Sequence, residues 1–177
     1  GFVVEFVDII ENHNYNKADA TNKYGTNVGG WRDSKLRTYI NDTIYKSLPS
    51  DLQNVITSTK VISGHGKTSG ETNFETQDKL YLLNAQEVFE SNPADTSVGT
   101  SKQLDYYKNQ GVTTSSYAGA IKQYNGSNSY WWLRSANFTY KYSFSHWDGF
   151  ILISAYGDWL DAATYGPHGI SPAFRIA

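Results

Sequence analysis

"YWWLRSANFTYKYSFSHWDGFILISA", residues 130–155, decides how this chain is read. Its two ends look like core strands: "YWWLRS" is aromatic and branched, and "GFILISA" holds the apolar run Phe150 to Ile153. Between them Phe138, Tyr140, Tyr142, Phe144 and His146 alternate with Asn137, Thr139, Lys141, Ser143, Ser145 and Trp147. An extended chain would place the aromatic set on one face and the small polar set on the other. That stripe could be core. "FILI", a few residues on, shows that the chain uses aliphatic residues where it builds core. The same mixture of Tyr, Trp, Asp, Thr and His returns in "AYGDWLDAATYGPHG", residues 155–169. Tyr and Trp give a large contact area at small entropic cost, while Ser, Asn and Gly supply adaptable hydrogen bonds. Two such segments flanking one strand read as a binding surface.

Working outward, "WLDA" and "SPAFRI" continue the series of short strands between Gly and Asp turns. At the other end, "FVVEFVDII" (2–10) reads as a buried first strand, and "ENHNYNKADATNKYGTN" as a long surface loop. Leu36, Ile40, Ile44 and Leu48 recur at helical spacing, with Asp33 or Ser34 as N-cap and Pro49 as the stop. "SDLQNVITS" follows as a shorter helix capped by Ser50. "TKVIS" and "KLYLLN" are strand candidates around a Gly/Thr/Ser-rich segment, 64–78, and "NAQEVFES" is a helical turn. Residues 91–129 lack apolar periodicity and read as an insertion with short helices at 101–109 and 116–124. The pattern predicts an α+β fold in one domain over 1–177. Two early helices precede a small antiparallel sheet made largely from the two chain ends.

The chain has 177 residues, 39% of them hydrophobic, enough for a real core. A net charge of -2 without charge runs gives no electrostatic support for nucleic acid. No apolar run approaches the roughly 18 residues of a membrane span, so direct membrane insertion is not expected. Without Cys there are no disulfides, thiolate metal sites or cysteine nucleophiles. The opening at Gly1 reads as a domain cut from a longer protein, with any targeting signal outside view. Aromatics make up 15% of the chain, and Trp131, Trp132, Trp147 and Trp159 all fall in its last third.

The chemical inventory is thin. "GHGKTSG" (64–70) has Val61 where a phosphate loop needs its first Gly, and reads as a mobile hairpin tip. His13, His65, His146 and His168 show no metal-ligand spacing. No G-x-S-x-G elbow occurs. Asp148, Asp158 and Asp161 could form a carboxylate pair for glycoside chemistry, but each sits beside Gly or Trp in a turn, where Asp is common. "DATNKYG" fails as a calcium loop. No catalytic group, metal or cofactor is expected.

The ordered blocks "GGWRDSKLRTYIND", "SLPSDLQNVI", "DKLYLLNAQEVF", "YWWLRSA" and "GISPAFRI" resemble a bacterial domain family of unknown function common in gut anaerobes. The resemblance spans roughly residues 29–177 and leaves 91–129 unmatched. It implies a C-type lectin-like fold in its formylglycine-generating-enzyme-like variant, as found among the variable proteins of diversity-generating retroelements. In those proteins adenine-directed mutagenesis randomises C-terminal codons, and the fold displays the products as a ligand-binding face. The resemblance makes Trp132, Leu133, Arg134 and Ser135 scaffold, along with Phe150–Ile153, Gly169, Ile170, Pro172 and Ala173. Residues 130–177 become the variable-type binding region. The display candidates are Asn137, Thr139, Tyr140, Tyr142, Ser145, His146, Trp147, Asp148, Tyr156, Asp158, Trp159, Asp161, Tyr165 and His168. Ser171 stands where relatives often carry Arg. The Trp-Asn-Asp and Glu-Pro-Asn signatures of calcium-dependent sugar-binding lectins are absent. Without Cys, the oxidative chemistry of the formylglycine-generating enzymes is not expected either.

The expected function is non-enzymatic recognition, on a secreted or surface protein or a phage particle. Its ligand is a protein or glycan on another cell or surface. The alternative is a carbohydrate-binding or carbohydrate-active adhesive module, with aromatics stacked on sugar rings and Asp158 or Asp161 as ligands or acids. A third reading makes the aromatic stripe core and puts the function elsewhere in a parent protein.

Overall fold

A computed structural model describes residues 1–91, 102–138 and 148–177. In chain order, β1 (Phe2–Glu5) and β2 (Glu11–His13) precede a long connection into α1 (Lys35–Tyr39). Ser34 caps α1, its hydroxyl accepting from the Arg37 N–H. The predicted helix then widens into a π-helical segment, Ile40–Ile44, and closes as α2 (Tyr45–Ser47). Leu36, Ile40 and Ile44 all face inward, so the periodicity finds its core. Leu48 turns extended ahead of Pro49, which cannot follow a helical residue without a clash. Then come α3 (Ser50–Val55), β3 (Ile56–Thr57), β4 (Thr59–Ser63), β5 (Phe74–Asp78) and α4 (Ala85–Val88).

After α5 (Asp105–Asn109), a short 3₁₀ turn leads to β6 (Lys122–Tyr124) and β7 (Ser127–Ser129). Next are β8 (Trp131–Ala136), β9 (Phe150–Ile153), β10 (Trp159–Ala162), β11 (His168–Ile170) and β12 (Ala173–Ile176). The fold is mixed α+β with several small sheets. A five-stranded sheet runs β10-β9-β8-β11-β2, and a three-stranded one runs β1-β12-β3. The chain ends meet in the second, with Phe2 opposite Ile176 and Glu5 opposite Ala173.

Three expectations are corrected. Strand β1 is an edge strand and not a buried one: Phe2 is 76% exposed, and Val3 and Val4 are half-buried. "KLYLLN" is not a ladder strand, because Leu80, Tyr81, Leu82 and Leu83 are all buried and their backbone is held otherwise. Tyr81 exchanges two hydrogen bonds with Ala173, while the Leu82 carbonyl accepts from the Arg134 guanidinium and the Leu83 carbonyl from the Arg134 N–H. The strand pairing with β4 is instead β5, inside the segment read as a loop. Its buried face is Phe74, Thr76 and Asp78, which hides the core side from a search for apolar alternation.

The core centres on Trp31, Trp131, Trp132, Tyr15, Tyr107, Phe89 and Phe150. Removing such side chains from water contributes about 1.5–3 kcal/mol each. Tyr15 stacks on Phe150 at 3.6 Å between ring centroids and donates its hydroxyl to the Leu133 carbonyl at 3.0 Å. Two buried charged groups are well partnered. The buried Asp78 carboxylate accepts from Trp31 Nε1, Thr76 Oγ1 and Arg37 Nε. Arg134 on β8 reaches the Ile62 and Leu82 carbonyls and the Glu87 carboxylate. Tyr107, Val112 and Ala120 join the core, so residues 102–129 contribute to it.

Candidate functional site

The register of the five-stranded sheet decides which loops can act together. Trp131, Ile153 and Trp159 share one row, and Ala136, Phe150 and Ala162 share another. Three residue steps at about 3.3 Å put the rows about 10 Å apart. Segment 137–149 therefore leaves from the Phe150 row, and residue 163 follows from that same row. The turn 154–158 lies at the opposite end. The sequence-predicted candidates are divided between these two ends.

At the Phe150 end, Asn27 is the organising residue. Its buried amide nitrogen donates to the Asn137 carbonyl (3.0 Å), the Asn137 side-chain oxygen (3.0 Å) and the Gly149 carbonyl (2.8 Å). Its own Oδ1 accepts from the Lys67 N–H at 3.0 Å. Asn137 N–H also donates to the Gly149 carbonyl at 3.0 Å, closing the neck of the loop. The loop 64–70 is thus docked at its base and not a free tip. Gly66, at φ 57°, leaves room for Asn27: a Cβ there would lie 2.8 Å from the Asn27 side chain and 2.9 Å from the Ala136 methyl. Gly29 N–H donates to Thr68 Oγ1, and Thr164 N–H to the Tyr24 carbonyl. Segments 24–30, 64–68 and 163–166 converge here with the two ends of the loop, 137–138 and 148–149.

Exposed apolar and aromatic groups rim this cluster. Tyr24 and Tyr165 lie 6.2 Å apart between ring centroids, each partly exposed. Val28 and Phe138 are exposed, and Phe138 has the His65 ring edge-on at 5.8 Å and the Lys67 ammonium 5.4 Å from its centroid. Lys23 sits over the Tyr24 ring at 4.7 Å. Aromatic faces flanked by cations suit contact with protein or sugar surfaces.

The individual candidates fall as follows. Asn137 is buried at the neck and acts there as scaffold. Thr139, Tyr140, Tyr142, Ser145, His146 and Trp147 lie outside the described residues. Asp148 is half-buried beside the neck, and Tyr165 is exposed on the cluster. Tyr156 is 76% exposed, but on the 154–158 turn at the far end of the sheet. Asp158 closes that turn, its carboxylate bonded to the Ser154 hydroxyl and its carbonyl accepting from the Ser154 N–H. Trp159 is half-buried against the core and Asp161 is buried. Asp158 lies on the turn and Asp161, three residues on, within β10. His168 packs edge-on against Trp132 at 4.9 Å, and its burial holds its pKa below the ordinary imidazole value. Asn137 thus supports the surface from within and Asp161, opposite Ile151, is buried one step from the Phe150 row, whereas His168, next to Gly169 in the Trp131 row, lies toward the other end of the sheet.

Sequence reasoning missed Tyr24, Asn27, Val28, His65 and Lys67. The available signal was "YGTNVGGW", three Gly within six residues ahead of a core Trp. Gly25, Gly29 and Gly30 all take positive φ there. Among the described residues, no group of three or more His, Asp or Glu side chains could hold a metal ion.

The molecule is thus an α+β domain carrying a loop-built, aromatic-rimmed surface at one end of its main sheet. It belongs to the family described as Domain of unknown function (DUF6273), whose family model matches residues 7–177. No curated protein and no solved structure matches the chain. Among the described residues, no helix is long and apolar enough to cross a membrane.

Proposed function

We propose that this chain is a non-enzymatic recognition domain of C-type lectin-like fold that binds a protein or glycan through the loop cluster at the Phe150 end of its sheet. The observation that carries this reading is the way the neck of segment 138–148 is held. Asn27 and the Asn137–Gly149 pair grip it at its two ends through backbone carbonyls, one backbone N–H and the Asn137 side-chain oxygen. A clamp on backbone tolerates changes in the side chains beyond it. That is the requirement of a loop that varies while its scaffold stays constant. The meeting of the chain ends in β1 and β12, and the aromatic rim beside the neck, agree with the same reading. The domain would serve on a secreted or surface protein, or on a phage particle, with residues 139–147 as its variable element, diversified by a retroelement.

The test is a display library randomised at 139–147 with every other residue fixed. The expected result is recovery of binders to unrelated protein and glycan targets, with melting temperatures close to the parent. Collapse of folding across most of the library would show that these residues are core and sink the proposal. Replacing Tyr24, Phe138 and Tyr165 together by Ala should weaken recovered binders at least ten-fold without altering the fold. Turnover of an oligosaccharide by the parent chain would favour a carbohydrate-active module instead.

A further inference from the structure

Strand β1 forms one edge of the three-stranded sheet, and among the described residues nothing pairs with its outer side. Which backbone groups face outward follows from the ladder. Phe6 N–H donates to the Pro172 carbonyl at 3.1 Å, so Phe6 bonds toward the β12 side. Stepping back by two, Val4 and Phe2 bond inward as well, and Val3 and Glu5 turn their N–H and C=O groups away from β12. Their partners agree: Ala173, opposite Glu5, spends its own N–H and C=O on Tyr81, on the other side of β12. The outward run ends at Val7, whose carbonyl accepts from Lys122 Nζ at 3.1 Å.

This edge does not face open solvent. A groove of about 490 Å³ runs along it, walled on the far side by Leu104, Asp105 and Tyr106 around the start of α5. Tyr107 ties that wall to the strand through its hydroxyl bond to Glu5 Oε2 at 2.7 Å. Phe2, Val7 and Tyr106, all more than half exposed, rim the groove. Lys122 is already engaged with the Phe6 and Val7 carbonyls and stands 3.4 Å from Glu5, which leaves Asp105 as the other charged side chain of the lining.

We propose that the outer edge of β1 and its groove bind an extended polypeptide strand with apolar side chains and one basic residue, adding it to the three-stranded sheet as a new edge. Strand addition draws affinity from main-chain hydrogen bonds to Val3 and Glu5 and selectivity from the groove. The wall at α5 admits a single strand more readily than the sheet edge of a second folded copy, and the Asp105 carboxylate on that wall sets the basic residue. The site is in a different sheet from the loop cluster and does not rest on that cluster's function.

The probe is the blocked peptide acetyl-Val-Lys-Val-Thr-Val-amide, titrated into ¹⁵N-labelled protein. The expected result is saturable shifts, with the Val3 and Glu5 amides becoming protected from exchange. Val3→Pro removes an outward donor while leaving the ladder to β12 intact, and edge strands tolerate Pro. It should weaken binding at least ten-fold with the melting temperature preserved. Tyr106→Ala, at an exposed position, should weaken it about five-fold through loss of apolar contact. Equal binding by a backbone-N-methylated peptide, unchanged binding by Val3→Pro, or self-association through β1 that excludes the peptide would each overturn the proposal.

Discussion

At the scale of single residues, Asn27 holds more of the candidate site together than any side chain of the aromatic stripe that the structure describes. Its amide partners three acceptors and one donor from segments far apart in the chain. Asn27→Ala leaves those buried groups unsatisfied and should cost about 3 kcal/mol, read from urea unfolding. Asn27→Asp would set a carboxylate against the same carbonyl oxygens and should fare no better. His168 carries a second prediction. Burial lowers its folded-state pKa below 6.5, so as the pH drops through 6.5 the unfolded chain takes the proton first. Stability from this group is present above pH 6.5 and is lost as the pH falls toward the lowered value. Wild type should therefore lose more stability over that window than His168→Gln, measured by paired melts across the pH series. Neither role was legible locally. In "NKADATNKYGTN" Asn27 looks like any loop residue, because its burial is supplied by residues 66, 137 and 149.

At the scale of elements, β8 is pinned by its one charged residue. Arg134 is 3% exposed, and its guanidinium joins the Ile62 and Leu82 carbonyls to Glu87 at the start of α4. The Asn84–Glu87 capping box fixes that carboxylate in turn. Arg134→Ala would strand the Glu87 carboxylate near the core and should cost about 3–5 kcal/mol, seen as a lowered denaturant midpoint. Strands with apolar runs, such as "WWLRSA" and "FILI", were readable because burial on both faces demands such residues. Strand β5 was not, since Thr76 and Asp78 are buried through hydrogen bonds and carry no hydrophobic signal. "KLYLLN" has strand composition but gives its carbonyls to Asn41 and Arg134, so its buried leucines never enter a ladder.

At the scale of the whole molecule, the two ends of the chain close the fold. Strand β12 sits between β1 and β3 and also holds Tyr81. Deleting 173–177 should abolish cooperative unfolding, followed by the near-ultraviolet circular dichroism of the buried Trp residues. Deleting Gly1 and Phe2 from the exposed edge should be tolerated. The same closure, built on contacts of very long sequence separation, predicts slow folding relative to helical proteins of this size.

The sequence by itself determined the α+β class, most of the strands with apolar runs, the early helical region and the pairing of the two ends. The first three are written in local periodicity or in the composition of a short run, and the last was inferred from the order of elements, with strand-like runs at both ends of the chain. Only the tertiary structure decided which loops share an end of the sheet. Tyr156 and Asp158 fall away from Asn137 and Tyr165 because β9 and β10 reverse the chain, and a loop's composition does not record the strand register that places it.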